Sequence, residues 1–485
     1  MDVVFPDIPL YQGWTAPLRI ESDLQDLEVI QGSVPKELAG TLYRCGPDRQ
    51  YPPLFKDDVF IDGEGMVVMF RFEDGHVDFK SRWVRNERFM AQAKARRSLF
   101  GRYRNRYTND PSVEGVDNGT ANTNTVWHGG KLLVLKESAM PIELDPDTLE
   151  TREKWDYDGA VKAVSMTAHP KLDEITGELL TFSYQARGDA TTDIVYYVIG
   201  KDGKVAHEVW FNMPWPACVH DFAVSESHVV FPFFPLITDL DVLKKGGPFY
   251  QWHPDEQCHF AVLPRYGKAE DIRWFRGPAA SAGHMMNAVT EGSKVHLDLC
   301  LYDGNCFPFF PKTDGTETEP VPPFLTRLTF DLASNSDAYT QTRLCPVPCE
   351  MPRTDDRWQG RPYRHGYMMS FTNRADGNSL GHVDFKTGKF ETYSFGPGTA
   401  IQEPCFVPRR PDAAEGDGWI VAIVNCLNEN HSNLAVVDAT DITAGPVALL
   451  KLPVRVRMTF HGMWVPAEAL RTGQYDMKLG PAAAA

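Results

Sequence analysis

A chain of 485 residues is long enough for several ordinary domains or for one large closed architecture. With 42% hydrophobic and 12% aromatic residues it reads as a folded globular protein, and its net charge of −16 argues against nucleic acid or an anionic membrane surface as partner. Nine cysteines, an odd number with no Cys-x-x-Cys, fit reduced thiols in a cytosol better than a disulfide framework or a zinc ribbon.

The N-terminal stretch MDVVFPDIPLYQGW lacks the basic-then-apolar order of a signal peptide. No apolar run approaches the ~18–20 residues that span a bilayer, so the reading is a cytoplasmic protein without a transmembrane segment. Helical periodicity is scarce, and one pattern recurs instead: an apolar strand, a turn rich in Asp, Gly or Lys, and a second strand often ending in an aromatic residue. It starts at Met69, Ile142, Val195, Phe260, Leu328, Val383 and Leu434, spaced about 50 to 70 residues apart. Turns such as Asp74-Gly75 and Asp202-Gly203 supply the positive φ of a tight hairpin.

Each hairpin is too small to bury both of its faces alone, so the units must stack around an axis. The fold expected is all-β, a seven-bladed propeller forming a single domain over 1–485, with a short Ala-rich tail after about residue 481. Insertions such as GGPFYQWHPDEQ and FPFFPKTDGTETEPVPPF read as loops capping one face, over the axis. The aromatic segments VVFPFFPLI and NCFPFFP suit a substrate mouth or a subunit contact, which leaves a homodimer open.

Most of the fourteen histidines need no function. His76, His207 and His382, in or beside hairpin turns, and His128, in WHGG, read as solvated. Four others stand at the ends of short apolar strands, where a polar ring is costly without a partner: His169 in MTAHPKLD, His220 in VHDFAVSE, His284 in GHMMNAV and His461 in FHGMW. The first three precede successive hairpins, and His461 follows the last, where the ring must close. Glu137, Glu350 and Glu403 hold similar places in other units, giving one polar candidate per unit near the axis. Imidazole suits iron, zinc or copper, and a carboxylate on the far ring nitrogen fixes the tautomer. Four neutral histidines leave two positions of an octahedron open, enough for dioxygen. Spacing alone does not separate this from unrelated polar positions in a large β protein.

Eight ordered motifs, from GTLYRCGPDR through FIDGEGMV, TANTNTVWHGGKLLVLKES, MTAHPKLDEITGE, VHDFAVS, GHMMNAV and EPCFVP to FHGMW, resemble the carotenoid cleavage oxygenase family, including its lignostilbene dioxygenase branch. The resemblance spans nearly the whole chain and implies a seven-bladed propeller with one axial Fe(2+) per chain. By motif it makes His169, His220, His284 and His461 the metal ligands. It makes Glu137, Glu350 and Glu403 acceptors behind three of them, with His169 lacking a carboxylate. Thr123 matches a residue whose methyl group crowds one open iron position. The usual aspartate of the DGDG-like motif is Glu64 here, outside the ligand set.

For the substrate, Lys136 and Tyr103 look like the lysine and tyrosine with which lignostilbene-cleaving members bind the 4-hydroxyl of a stilbene. Phe60 and Phe307 are candidates for lining the same pocket. Without the resemblance, Lys136 reads as a solvated strand lysine and Tyr103 as part of a Tyr/Arg-rich surface loop. The resemblance implies a dioxygenase that takes a small phenolic stilbene and O2 and releases two aldehydes of the vanillin type. An apocarotenoid or a phenylpropene such as isoeugenol is the alternative with the same iron. A metal-free propeller acting as an interaction scaffold is the alternative of another class.

Overall fold

A computed structural model describes residues 3–372 and 377–480; the expected Ala-rich tail after residue 481 lies outside them. Among the described residues the strands form seven consecutive antiparallel blades, paired in chain order from an inner to an outer strand except where the two chain ends join blades one and seven. Blade two is typical, with Asn124–His128, Lys131–Leu135, Ile142–Leu144 and Thr151–Lys154 side by side. Blades five and six share one long strand, Thr340–Arg353, which pairs with Pro323–Asp331 as an outer strand and with His365–Ser370 as an inner one.

All seven anticipated hairpins are present, each as the outer pair of a blade except in blades one and seven, where Ser22–Leu24 and Val29–Gly32 add a strand outside it. The reason lies in burial. Middle strands are covered on both faces and read as unbroken apolar runs, as in Asp193–Ile199 (DIVYYVI). Outer strands such as Val205–Asn212 have one face in water and alternate. The Asp74-Gly75 loop has φ of 47° and 85° and joins Glu73 to His76 as a two-residue turn. At Asp202-Gly203 only Gly203 (φ 79°) takes positive φ, because a bulge between Val198 and Ile199 lengthens that loop.

The core lies between blades rather than within them. Phe182 and Tyr196 of blade three pack on Phe231 of blade four, and each such buried aromatic contributes about 1.5–3 kcal/mol. The ring closes twice. Val29–Gly32 pairs with Pro446–Lys451 at the outer edge of blade seven, and His461–Pro466 pairs with Gly40–Asp48 as the inner strand of blade one. Val68 and Phe70 then pack against Val421, Leu434 and Leu450 across the seam.

The two anticipated insertions meet above one face: Trp252 N–H donates to Pro311 O at 2.8 Å, and Tyr250 packs edge-on against Phe310. VVFPFFPLI, by contrast, is not a mouth or a subunit contact. Its Val230, Phe231, Phe233 and Phe234 are buried between blades. Nor are His128 and His382 solvated. His128 is buried by the neighbouring blade, with Nε2 3.2 Å from Gly177 O, and His382 stacks on Tyr367. No helix among the described residues is long and apolar enough to cross a membrane.

Candidate metal centre and substrate cavity

The inner ends of the blades deliver the site. His461 opens the inner strand of blade one, His169 and His220 precede the inner strands of blades three and four, and His284 lies within that of blade five, Ser281–Glu291. Glu350 sits on the inner strand of blade six and Glu403 between the short strands Thr399–Ile401 and Cys405–Pro408 of blade seven. Glu137 departs from the pattern, following the second strand of blade two. The four histidines offer ligand nitrogens that all lie within 4.8 Å of one another.

Three rings are oriented from behind. His220 Nδ1 bonds Glu137 Oε2 at 2.7 Å, His284 Nδ1 bonds Glu350 Oε2 at 2.7 Å, and His461 Nδ1 bonds Glu403 Oε1 at 2.8 Å. Each Nδ1–H is thereby committed to a carboxylate, and each Nε2 lone pair is left facing the axis. His169 has no carboxylate among the described residues, as the motif match implied. Its Nε2 lies 3.1 Å from that of His220, close to the ~3.0 Å between two nitrogens that ligate one ion at right angles with bonds of about 2.1 Å. Four converging nitrogens fit a metal ion; two bare lone pairs at that distance repel unless a cation or a proton lies between them.

Electrostatics agree with this geometry. Burial, reinforced by the three neighbouring imidazoles, holds His169 well below the usual histidine range, and burial takes His461 down to about 4 against the pull of Glu403. His284 goes the other way, the Glu350 carboxylate outweighing burial. Glu137, Glu350 and Glu403 are buried, which alone would raise them, yet their histidine partners hold all three below the ordinary carboxylate range. Gly283, next to His284, belongs to this arrangement: a Cβ there would stand 2.9 Å from Glu350 Oε1.

His220, His284 and His461 also line an apolar cavity of about 430 Å³ beneath the insertions. Phe60, Tyr103, Thr123, Lys136 and Phe307 all border it. Phe307 meets the His220 ring edge-on at 5.3 Å, and Phe60 meets Phe309 at 5.6 Å. Lys136 is buried, contrary to a solvated strand lysine, and makes no ion pair among the described residues. Its Nζ lies 3.5 Å from both Tyr103 Oη and Thr123 Oγ1, and burial lowers its pKa against the pull of Glu137. Tyr103 is buried too and held protonated, its pKa pushed well up by burial and then by Glu137. The Thr123 hydroxyl donates to Asn122 Oδ1, which leaves its methyl as the unbonded branch.

A family model described as retinal pigment epithelial membrane protein matches residues 15–466. This chain belongs to that family, the carotenoid cleavage oxygenases. Among its relatives in the family, an isoeugenol monooxygenase of Pseudomonas nitroreducens is 46% identical, covering 94% of this chain and 98% of its own. A lignostilbene-alpha,beta-dioxygenase isozyme III of Sphingomonas paucimobilis is 43% identical, covering 96% and 99%. The crystal structure of Pseudomonas brassicacearum lignostilbene dioxygenase superposes with a TM-score of 0.93 at 44% identity, over 96% of this chain and 100% of that one.

Several residues at this carotenoid-oxygenase site escape the sequence reading. Arg104 turns inward at φ 58° and bonds the Tyr184 and Tyr250 hydroxyls at 2.7 and 2.6 Å; Tyr184 in turn donates to Glu137 Oε1 at 3.0 Å. Tyr302 donates to Glu350, and Arg44 and Arg353 flank Glu403. Glu64 accepts from Arg88 and Gln92 in a buried network that borders neither the histidines nor the cavity.

Proposed function

We propose that the protein is a non-haem iron(II) dioxygenase that cleaves the central C=C of a 4-hydroxystilbene of the lignostilbene type with O2, giving two aromatic aldehydes. His169, His220, His284 and His461 would hold the iron, with Glu137, Glu350 and Glu403 keeping three of the rings oriented. Bound ferrous iron would supply dioxygen activation. The chain's own part is to position the alkene against that centre, exclude water and polarise the substrate. The methyl of Thr123 would narrow one side of the metal.

One observation carries the substrate class: Lys136 is a buried ammonium with no carboxylate of its own, beside the Tyr103 phenol, in an otherwise aromatic cavity. An unpaired buried cation calls for an anionic partner. A bound phenol would meet two donors, Lys136 Nζ and Tyr103 Oη, both of which favour its phenolate. The phenolate pushes electron density through the ring onto the conjugated double bond, which makes the alkene easier to oxidise. Phe60 and Phe307 would stack along the rings and hold the bond in place. A metal-free scaffold would have no use for four converging axial histidines.

A second reading keeps the iron and takes a 4-hydroxyphenylpropene such as isoeugenol, favoured by the 46% identity to an isoeugenol monooxygenase. An apocarotenoid, which lacks the phenol, leaves Lys136 without a purpose. The deciding experiment is anaerobic loading with ferrous iron, then air with a hydroxystilbene, isoeugenol and an apocarotenoid in parallel, identifying aldehydes by mass. Aldehydes from the hydroxystilbene fastest are expected; turnover of the apocarotenoid alone would sink the phenolate reading.

A further inference from the structure

The apolar cavity is not the only space that reaches the cluster of imidazoles. A narrower one of about 110 Å³ is lined by His169, His284 and His461 together with polar groups: Asn124, Lys171, Glu174, Asp221, Arg353, Asp356 and Glu403. His169, absent from the apolar cavity, faces this one; His220, which borders the apolar cavity, does not. Leu172, Asp356 and Gln359 on its wall are part-exposed, so it opens toward water. Four carboxylates (Glu174, Asp221, Asp356, Glu403) against two cations (Lys171, Arg353) leave a formal charge of −2 on the wall.

Three of those carboxylates have structural partners. Asp221 pairs with Lys171 at 2.7 Å, Asp356 with Arg353 at 2.8 Å, and Glu403 with His461, Arg44 and Arg353. Glu174 does not. It is only 7% exposed, and among the described residues it makes no hydrogen bond or ion pair. A buried carboxyl without a partner is a standing destabilisation unless a cation visits it or it stays protonated. Burial, then the nearby Asp356 and Asp355, raise its pKa well above the ordinary carboxylate range, a cost that an arriving cation would relieve.

We propose that this polar channel is the loading route of the metal ion, and that Glu174 is a transient ligand which hands the hydrated ion to His169, His284 and His461. The inference rests on the four-histidine metal reading. On the other side a hydrated dication meets Phe60, Phe307, Phe309, Phe310 and Phe460 and the Lys136 amine, and the carboxylates there, Glu137 and Glu350, are already bonded to His220 and His284. The channel offers carboxylate and amide oxygens instead. The division also leaves the apolar cavity to substrate and product, so metal can exchange while an organic molecule is bound.

The test is Glu174→Gln, which keeps the shape and removes the charge. Metal-free full-length protein, prepared by chelator dialysis, is mixed with cobalt(II) chloride, and timed aliquots are desalted for metal analysis. The variant should take up cobalt(II) at least about five-fold more slowly than the parent, reach the same final one ion per chain, and melt no lower. Phe307→Trp, which narrows the aromatic side, should load at the parental rate. Equal uptake by Glu174→Gln and the parent overturns the route, as does slowing in Phe307→Trp alone. A lower melting temperature for Glu174→Gln would also overturn it, by revealing a structural partner. A parent that takes up no cobalt(II) defeats the four-histidine reading itself, a separate result.

Discussion

Replacing Lys136 by Met isolates the phenolate step. Met matches the length and apolar stem of Lys and removes only the ammonium, which sits buried with its Nζ 3.5 Å from Tyr103 Oη and Thr123 Oγ1. An ammonium and a phenolate about 4 Å apart attract by about 4 kcal/mol at the effective dielectric of a partly wetted site. Part of that offsets desolvation, so a net loss of roughly 3–4 kcal/mol is expected, or a fall in kcat/KM of about 10²–10³-fold. Two controls sharpen the result. A 4-methoxystilbene cannot ionise, so its slow cleavage should change little between parent and variant. Iron content should be unchanged, and the melting temperature equal or higher, because a buried cation without an ion pair is exchanged for an apolar side chain. The reasoning is refuted if cleavage of hydroxy and methoxy substrates falls by the same factor, or if the loss tracks lost iron.

Glu350→Gln should weaken metal affinity about 10–100-fold by loosening His284, measured by competition with a chelator; Gly283→Ala should shift it the same way, by displacing the same carboxylate. A pH effect is expected at His128, whose pKa burial lowers to about 4 and whose Nδ1 has no hydrogen-bond partner. The unfolded chain binds that proton near pH 6.5 and the folded one does not until about pH 4, so His128's contribution is intact above pH 6.5 and is lost on acidification. Urea unfolding should register a loss of about 2 kcal/mol from this residue between pH 6.5 and 5; His128→Phe should flatten that slope, and an unchanged slope would mean the ring is not the group that titrates.

The blades were legible because the outer hairpins carry a local signature, with one strand buried on both faces and the next half in water. His169, His220, His284 and His461 stood out because they interrupt apolar strand ends where nothing local satisfies them, but only the family resemblance joined them into one ligand set. What escaped is tertiary. His128 looks like a turn residue until the adjacent blade brings Gly177 O onto its ring. Arg104 sits among Tyr and Arg residues typical of a surface, and only its left-handed backbone turns it toward Tyr184 and Tyr250. VVFPFFPLI and FPFFP have nearly the same composition, yet one fills the gap between blades and the other roofs the cavity. Composition cannot tell which apolar neighbour a segment will find. Glu174 lies inside the MTAHPKLDEITGE motif, yet nothing in the sequence marks its oddity, the lack of a partner.

His461 stands at the start of the very strand that zips the last turn of chain onto the first blade. A ribosome-bound fragment ending before it can hold three of the four rings but cannot complete the set. An ion held by all four rings would therefore act as a clasp on the finished circle: whatever affinity the fourth ring adds would be free energy set against opening of that seam. Local fraying at blade one and loss of metal would then be one event, and the protein with a full complement of iron would be the protein whose ring is locked at that seam.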